Sequence, residues 1–393
     1  MPASGLSTIE RRAALSLAGI FALRMFGLFM IYPVFAVYAR GLPDATPARV
    51  GFALGIYGLA QALCQMPLGM ASDRLGRKPV IAVGLLVFAL GSGVAGLAHS
   101  VAGIALGRLL QGVGAVGSAV LALAADLTRE EHRTKAMAAI GMTIGLAFAA
   151  ALAAGPVIDR WIGVPGMFWL TAGLAGLALL LLYVAVPDPA SSEVHADSEA
   201  VPALLSRVLR DPELLRLDFG ILAQHAILTA TFLGVPLVFQ AAGVSGGAEW
   251  RVYLPALVVS VLIMVPLIIQ AERHGRMRPI LLGAVAAIAV AQAGFLLPVG
   301  GWWLPALAVT VFFTAFNFLE AALPSLISRL APRQAKGTAM GVYSSAQFLG
   351  IFLGGVLGGW CQGRFGLMGG FGFSLVMACL WLVSALPLRP PAK

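Results

Sequence analysis

The chain has 393 residues, of which 60% are hydrophobic and 11% charged, and its mean hydropathy is +0.92. Soluble proteins carry about 25% charged residues, so this chain cannot clothe a globule in water, and its apolar richness equally excludes disorder. Three cysteines, Cys64, Cys361 and Cys379, exclude a disulfide scaffold and stand in apolar surroundings as inert packing residues. What remains is a polytopic membrane protein.

Spanning helices need about 20 apolar residues. Twelve runs meet that length: 13–39, 48–70, 79–98, 101–125, 136–158, 165–187, 217–240, 250–271, 279–299, 303–327, 337–360 and 366–387. None alternates with the two-residue period of a membrane barrel, so helices are expected throughout. Met1 to Glu10 lacks the basic stretch, short apolar core and small-residue site of a cleavable leader, so the first run is expected to be retained.

The net charge of +9 would point to nucleic acid in a soluble protein. Here the positions of the cations explain it. The side that holds both termini carries nineteen Lys and Arg, the other side five, and the remaining two, Arg24 and Arg108, stand inside runs. Cytoplasmic loops carry the Lys and Arg excess, so both termini are expected in the cytoplasm. A long loop over 188–216, with Pro189, Ser191, Ser192, Glu193, Asp197 and Glu199, reads as a solvated linker between six-helix bundles at 1–187 and 217–393. The halves repeat: Asp73-Arg74-Leu75-Gly76-Arg77 follows the second run and Glu272-Arg273-His274-Gly275-Arg276 follows the eighth, 199 residues later. Such repeats place a substrate path between the halves near mid-membrane.

The loop from Gly69 to Pro79 is the most specific local signal. Gly69 lets another helix approach, Gly76 permits a tight turn, Asp73 can accept at a helix N-terminus, and Arg77 can pair with a carboxylate. A plain basic loop with turn residues leaves the partial repeat at Glu272–Arg276 unexplained. In the fourth run Arg108, Gln111, Gly112 and Ala115 share one helix face. An arginine there costs about 2.5–3.5 kcal/mol to insert, so Arg108 must face a wet cavity, with a part in proton coupling, or pair with carbonyls of a neighbouring helix. Arg24 lies midway along the first run. In the tenth, Asn317 and Glu320 share a face, and on these boundaries Glu320 is the one carboxylate deep in a span. It is either a proton carrier or a fixed partner of Arg24 or Arg108. His225, beside Gln224, is either a second carrier or a hydrogen-bonded core residue. Arg24, Gln61, Gln65, Gln111 and Asn317 are the candidate cavity lining. Gly337, Gly341, Ser345, Gly350, Gly354 and Gly358 form a small-residue stripe that serves either sliding or packing. With no metal-ligand cluster and no phosphate-binding loop in the sequence, neither an enzyme nor a cofactor is expected, the proton serving as coupling ion.

These residues carry a family resemblance. Gly69 to Lys78 fits G-x-x-x-D-R-x-G-R-K, which the major facilitator superfamily carries between its second and third helices, and Arg108 to Ala115 fits its R-x-x-Q-G-x-G-A. Gly27 and Pro33 fit a G-x5-P element of drug/proton antiporters. Gly155-Pro156 opens their G-P-x-x-G-G, although Asp159-Arg160 replaces the last pair. Together with Leu23-Arg24-Met25, Asp126-Leu127-Thr128-Arg129-Glu130, Ala315-Phe316-Asn317, Glu320-Ala321 and Lys336 to Ser344, they make the chain resemble the drug/proton antiporter group, and within it the bacterial YajR-type transporters, over nearly its whole length. The resemblance implies an all-α membrane protein with twelve transmembrane helices in two six-helix halves, each built of 3+3 inverted repeats, that rock against each other. It implies a conformational switch of Gly69, Asp73, Arg74, Gly76, Arg77 and Asp126, with Asp73 latching the outward-open state against the eleventh helix near Gly337–Ala339. The soluble domain that follows the last helix in that group is not expected in a chain that stops at Lys393.

The expected function is proton-coupled efflux of small lipophilic or drug-like molecules across the bacterial inner membrane, by a monomer whose partners are its substrate, protons and lipid. A symporter or uniporter for a sugar or organic acid, and a non-transporting sensor on the same fold, remain open at this stage.

Overall fold

In lipid every backbone polar group must be satisfied within its own segment, and the chain folds accordingly. The computed structural model describes residues 7–114, 116–188, 202–298 and 300–389, without the side chains of Thr134 and Arg333, and all regular structure among them is helical. Ten helices are long and apolar enough to cross a bilayer. Two are too long to cross only once: Glu130–Val184 has 55 residues and Lys336–Ala385 has 50. Straight, they would run about 80 and 75 Å, against a hydrocarbon core of about 30 Å. Each turns back at a glycine of positive φ, Gly163 (66°) and Gly366 (69°).

The ten helices therefore supply twelve spans. These are α1 Thr8–Ala39, α2 Pro47–Leu75, α3 Arg77–Leu97, α4 Val101–Asp126, α5 130–162, α6 164–184, α7 Pro212–Ala241, α8 Trp250–Arg273, α9 Met277–Phe295, α10 Trp303–Leu330, α11 336–365 and α12 367–385. α1 bends at Met30–Ile31, ahead of Pro33, and α4 is interrupted between Val113 and Gly117.

One boundary needs correction. α7 starts at Pro212 rather than 217, because the Asp211 side chain accepts from the Glu213 and Leu214 amides (2.9 and 3.3 Å) and Pro212 suits the first helical position. The described end of the linker is a 3-10 turn, Pro202–Leu204, and one helical turn, Leu205–Val208. Pro189, Ser191, Ser192, Glu193, Asp197, Glu199, Ala115 of the fourth-helix motif and Lys393 lie outside the described residues.

Two sets of helices pack internally. α1 lies on the α5–α6 stretch and α4 on α2 and α3; α7 lies on the α11–α12 stretch and α10 on α8 and α9. The sets meet chiefly where α2 crosses α11, on the face opposite the one that carries residues 7 and 389. There the two backbones touch: a Cβ at Gly51 would sit 2.1 Å from the Gly355 carbonyl oxygen, and one at Gly359 would sit 2.6 Å from that of Pro47. Aromatic rings continue the seam inward. Tyr32 of α1 meets Phe232 of α7 (ring centroids 5.9 Å apart), and Phe148 of α5 meets Phe316 of α10 (5.8 Å). Towards the terminal face the sets part. The contact between α2 and α11 runs inward as far as Ser345 Oγ and the Ala62 carbonyl (3.4 Å), and none is described between these two helices closer to the terminal face. The gap between the sets thus opens on the terminal side.

Part of the small-residue stripe of α11, Gly350, Gly354 and Gly358, packs inside one set, whereas Ser345 Oγ donates across the seam to the Ala62 carbonyl of α2 (3.4 Å). Gly350 and Gly354 back onto the Leu222 and Ala226 carbonyls of α7 (2.2 Å each from a would-be Cβ). The seam between the sets uses Gly355 and Gly359 instead. The expected outcome for Gly51→Val is loss of the far-face seal, at a cost of about 1–3 kcal/mol for the overpacked contact. In a background with the three cysteines replaced by serine, a cysteine at Gln362 should then be labelled faster from the far side, with helix content unchanged.

Candidate functional site

Both walls of the gap carry polar residues that the membrane would otherwise exclude. On the α1–α6 side, Arg24 is 1% exposed. Its Nη2 donates to Gln61 Oε1 (2.8 Å) and Tyr57 Oη (3.2 Å), Tyr57 donates to the same Gln61 oxygen, and the guanidinium lies 5.2 Å from the Phe88 ring centroid. Arg24 Nε and Nη1 have no partner among the described residues.

Arg108 lies beside this group, also 1% exposed. Its Nη1 donates to Gln111 Oε1 (3.1 Å), its Nη2 donates to the Leu54 carbonyl of α2 (3.2 Å), and its charge lies 5.0 Å from the Tyr57 ring centroid. Gln111 in turn donates to Ser92 Oγ (2.8 Å). Pairing with a neighbouring helix carbonyl is thus the contact that Arg108 makes. Gln65 is buried one turn beyond Gln61, and its carbonyl accepts from Ser118 Oγ (2.7 Å).

On the α7–α12 side Glu320 meets neither arginine. Its carboxylate accepts from Gln224 Nε2 (2.9 Å) and Gln347 Nε2 (3.2 Å), and His225 Nε2 stands 3.8 Å away. Gln347 also donates to His225 Nε2 (2.9 Å), while His225 Nδ1 faces the Ile221 carbonyl (3.3 Å). A neutral imidazole with its proton on Nδ1 satisfies both contacts. The Glu320 side chain is 38% exposed although it lies about 15 Å from the terminal end of α10. It therefore faces the gap. Asn317, one turn away, is held by a 2.8 Å donation to Ser260 Oγ and is not part of the Glu320 group.

The sequence reading missed Tyr57, Ser92, Ser260 and Gln347, which hold the expected residues in place. It also missed Asp218, which stands at the edge of the 217–240 run and which the earlier start of α7 sets six residues into the helix at 6% exposure.

On the terminal face the switch residues gather around Arg77. Gly76 (φ 90°) separates α2 from α3 and sets Arg77 at the first position of α3. Arg77 Nε donates to Asp126 Oδ2 (3.0 Å), and its Nη1 donates to Ser72 Oγ (2.8 Å) and to the Asp73 carboxylate. A Cβ on Gly69 would meet Ser118 Oγ at 3.0 Å, so this glycine seats α2 on α4. Arg74 is exposed. Among the described residues Asp73 pairs with Arg77. Nearby, Glu10 accepts from the Arg129 guanidinium (2.9 Å) and ties α1 to the start of α5.

Arg77 and Asp126 are 1% and 0% exposed, whereas Asp73 is 24% exposed. Breaking a buried pair costs about 3–5 kcal/mol, and Ser72 and Asp73 would still hold Arg77. Asp126→Asn is therefore expected to cost about 3 kcal/mol and Asp73→Asn clearly less. Thermal unfolding of the two variants in detergent should rank them in that order.

Comparison with known proteins places this geometry in a family. The Major Facilitator Superfamily profile matches residues 17–355 and 249–393. The chain is 44% identical over 382 residues to the inner membrane transport protein YajR of Escherichia coli K12, covering 97% of this chain and 84% of that one. It is 24% identical over 343 residues to the multidrug resistance protein MdtH of Proteus mirabilis, covering 85% and 83%. Its fold matches the crystal structure of a bacterial homologue of the human lysosomal transporter Spinster in an inward-facing, occupied conformation, with TM-score 0.81, 15% identity and 98% and 97% coverage. The twelve spans, the Arg77 loop and these matches agree: this multi-pass membrane protein belongs to the Major Facilitator Superfamily of transporters.

Proposed function

We propose that this chain is a proton-coupled efflux antiporter of the bacterial inner membrane. It exports small lipophilic or drug-like molecules by alternating access. The observation that carries the reading is Glu320, a carboxylate inside the membrane that faces the gap, is held by two amides and a histidine, and has no Lys or Arg paired with it among the described residues. A carboxylate so placed is expensive unless it takes up a proton or a cationic ligand. Exchange of those two at one site is the chemistry of antiport. The aromatic rings of Phe148, Phe232, Phe313 and Phe316 give a lipophilic molecule its wall. A relative named as a multidrug resistance protein supports the substrate class.

In this reading the terminal face is cytoplasmic, from the Lys and Arg excess there. The halves 1–187 and 217–393 move as bodies joined by the linker. The state described here is open to the cytoplasm, with the Arg77–Asp126 network assembled and Asp73 turned to Arg77. In the opposite state Asp73 would engage the N-terminus of α11. His225 and Arg108 would tune the proton site, and Arg24, Gln61, Gln65, Gln111 and Asn317 would face the substrate. The proton is the coupling ion and the working unit is a monomer.

A second reading has its own observation. Arg24 keeps two buried guanidinium nitrogens without a partner, and among the described residues no carboxylate is paired with Arg24 or Arg108. That arrangement suits an organic acid carried by symport.

Purified protein in liposomes with pyranine inside separates the two. With ethidium as the cationic probe and benzoate as the anionic one, antiport moves protons opposite to ethidium and symport moves them with benzoate. Glu320→Gln is expected to abolish the proton movement while leaving probe exchange in place. Probe movement without protons in the wild type would make the protein a uniporter and overturn the proposal.

A further inference from the structure

A cleft on the far face lies outside the gap described so far. Its walls include Arg40 at the end of α1, Thr46 and Pro47 at the start of α2, Leu233 and Leu237 of α7, and Gln362 of α11. It holds about 390 Å³ including its open mouth, within the range of small-molecule sites. Gln362 stands about 5 Å from the far end of α11, and Leu233 about 12 Å from that of α7. The cleft therefore runs inward from the far surface and has leucine at its deep end.

Its polar groups are donors. The Arg40 side chain is exposed and, among the described residues, makes no hydrogen bond or ion pair. Asp44, on the same loop, is spent on the Val101 and Ala102 amides (2.7 and 3.2 Å). Gln362 is buried; its Nε2 donates to the Leu233 carbonyl (3.4 Å) and has a second N–H to give. Thr46 Oγ1 accepts from the Arg49 amide (3.2 Å) and keeps its own proton for a ligand. No carboxylate lines the cleft. An unpaired guanidinium and two neutral donors above buried leucines complement a carboxylate carried on a short alkyl chain. The head would meet Arg40 in a charge-assisted bond, and the tail would leave water against Leu233 and Leu237. A cationic amphiphile of the same length would be repelled.

The two walls belong to different sets. Arg40, Thr46 and Pro47 come from one, Leu233, Leu237 and Gln362 from the other. The Pro47 carbonyl is itself part of the seam, 2.6 Å from a would-be Cβ on Gly359. The cleft thus has both walls only while the far face is closed. We infer that this cleft binds a short-chain aliphatic carboxylate and that the bound ligand holds the far face shut. The binding stands on the cleft alone, while the holding rests on the alternating access proposed above. A ligand that binds one state only multiplies the ratio of that state to the other by one plus its concentration over Kd. Acting apart from Glu320 and Arg24, it would slow transport without competing for the gap.

Octanoate is the probe. Titration calorimetry of the full chain in nanodiscs, with empty nanodiscs as the blank, should show saturable binding in the wild type. Arg40→Gln, a change at an exposed side chain, should weaken it about tenfold or more, the scale of a lost hydrogen bond to a charged group. Arg40→Lys should keep most of it, Leu237→Trp, which fills the deep end, should abolish it, and octylamine should show none. Binding that is absent, or that Arg40→Gln and Leu237→Trp both leave unchanged, would overturn the site. Spin labels at Leu75 and Gln334 on the terminal face read the second part. At about ten times Kd, octanoate should raise the ratio of wide to narrow terminal-face populations about tenfold, and this shift should be lost at the same concentration in Arg40→Gln. An unchanged ratio in a chain whose populations still shift with pH would overturn the holding role. Populations that never interchange would instead count against alternating access, and the calorimetry would still decide the site.

Discussion

The contact between the α2 and α11 backbones is the constraint on which the rest of the arrangement depends. Gly51 and Gly355, with Gly359, let two helices from different sets approach with no side chain between them. That contact closes one face, and the aromatic rings behind it extend the seal towards mid-membrane. With the seam drawn tight at the far face, the two sets diverge from there towards the terminal face. The opening on the terminal side follows, and with it the exposure of Glu320 at a depth where a carboxylate would otherwise be buried in lipid or protein.

The electrostatics of the two walls are asymmetric. The two arginines buried midway along spans, Arg24 and Arg108, belong to the α1–α6 side, held by amides, a phenol, a carbonyl and aromatic faces, while the exposed carboxylate belongs to the α7–α12 side. Each wall satisfies most of its polar atoms from its own helices. The sets can therefore separate or approach without breaking an ion pair between Glu320 and an arginine. The strongest pairing, Arg77 with Asp126 and Asp73, lies on the terminal face within one set. Charge there fixes the internal geometry of a half, while the seam between halves is apolar and steric.

Much of this was legible in the sequence. Length and hydropathy define the spans, because lipid leaves so few alternatives for a backbone. The Arg77 loop was legible because its residues are held by local geometry: Gly76 at the turn and Arg77 on the next helix. Pairing with Asp126 was carried by resemblance alone, since nothing in the spacing brings residues 77 and 126 together. The partners of Glu320 were not legible, since Gln224 and Gln347 come from other helices and ordinary glutamines carry no pattern. Asp218 was lost to a boundary error. The Asp211-Pro212-Glu213 run is a helix-start pattern that hydropathy overlooks, because the first turn of α7 is polar. The α11 stripe shows the converse. Its period marks a helix face but not which neighbour covers it.

The central claim is that a steric seam on one face and a gap on the other exchange places. Pulsed electron-spin distance measurements in liposomes address it directly, with one label pair at Leu75 and Gln334 on the terminal face and another at Arg40 and Gln240 on the far face. The account predicts two populations whose weights shift with pH, the far-face distance lengthening as the terminal-face distance shortens. A far-face pair that stays fixed while the terminal pair moves, or two pairs that lengthen together, would contradict it.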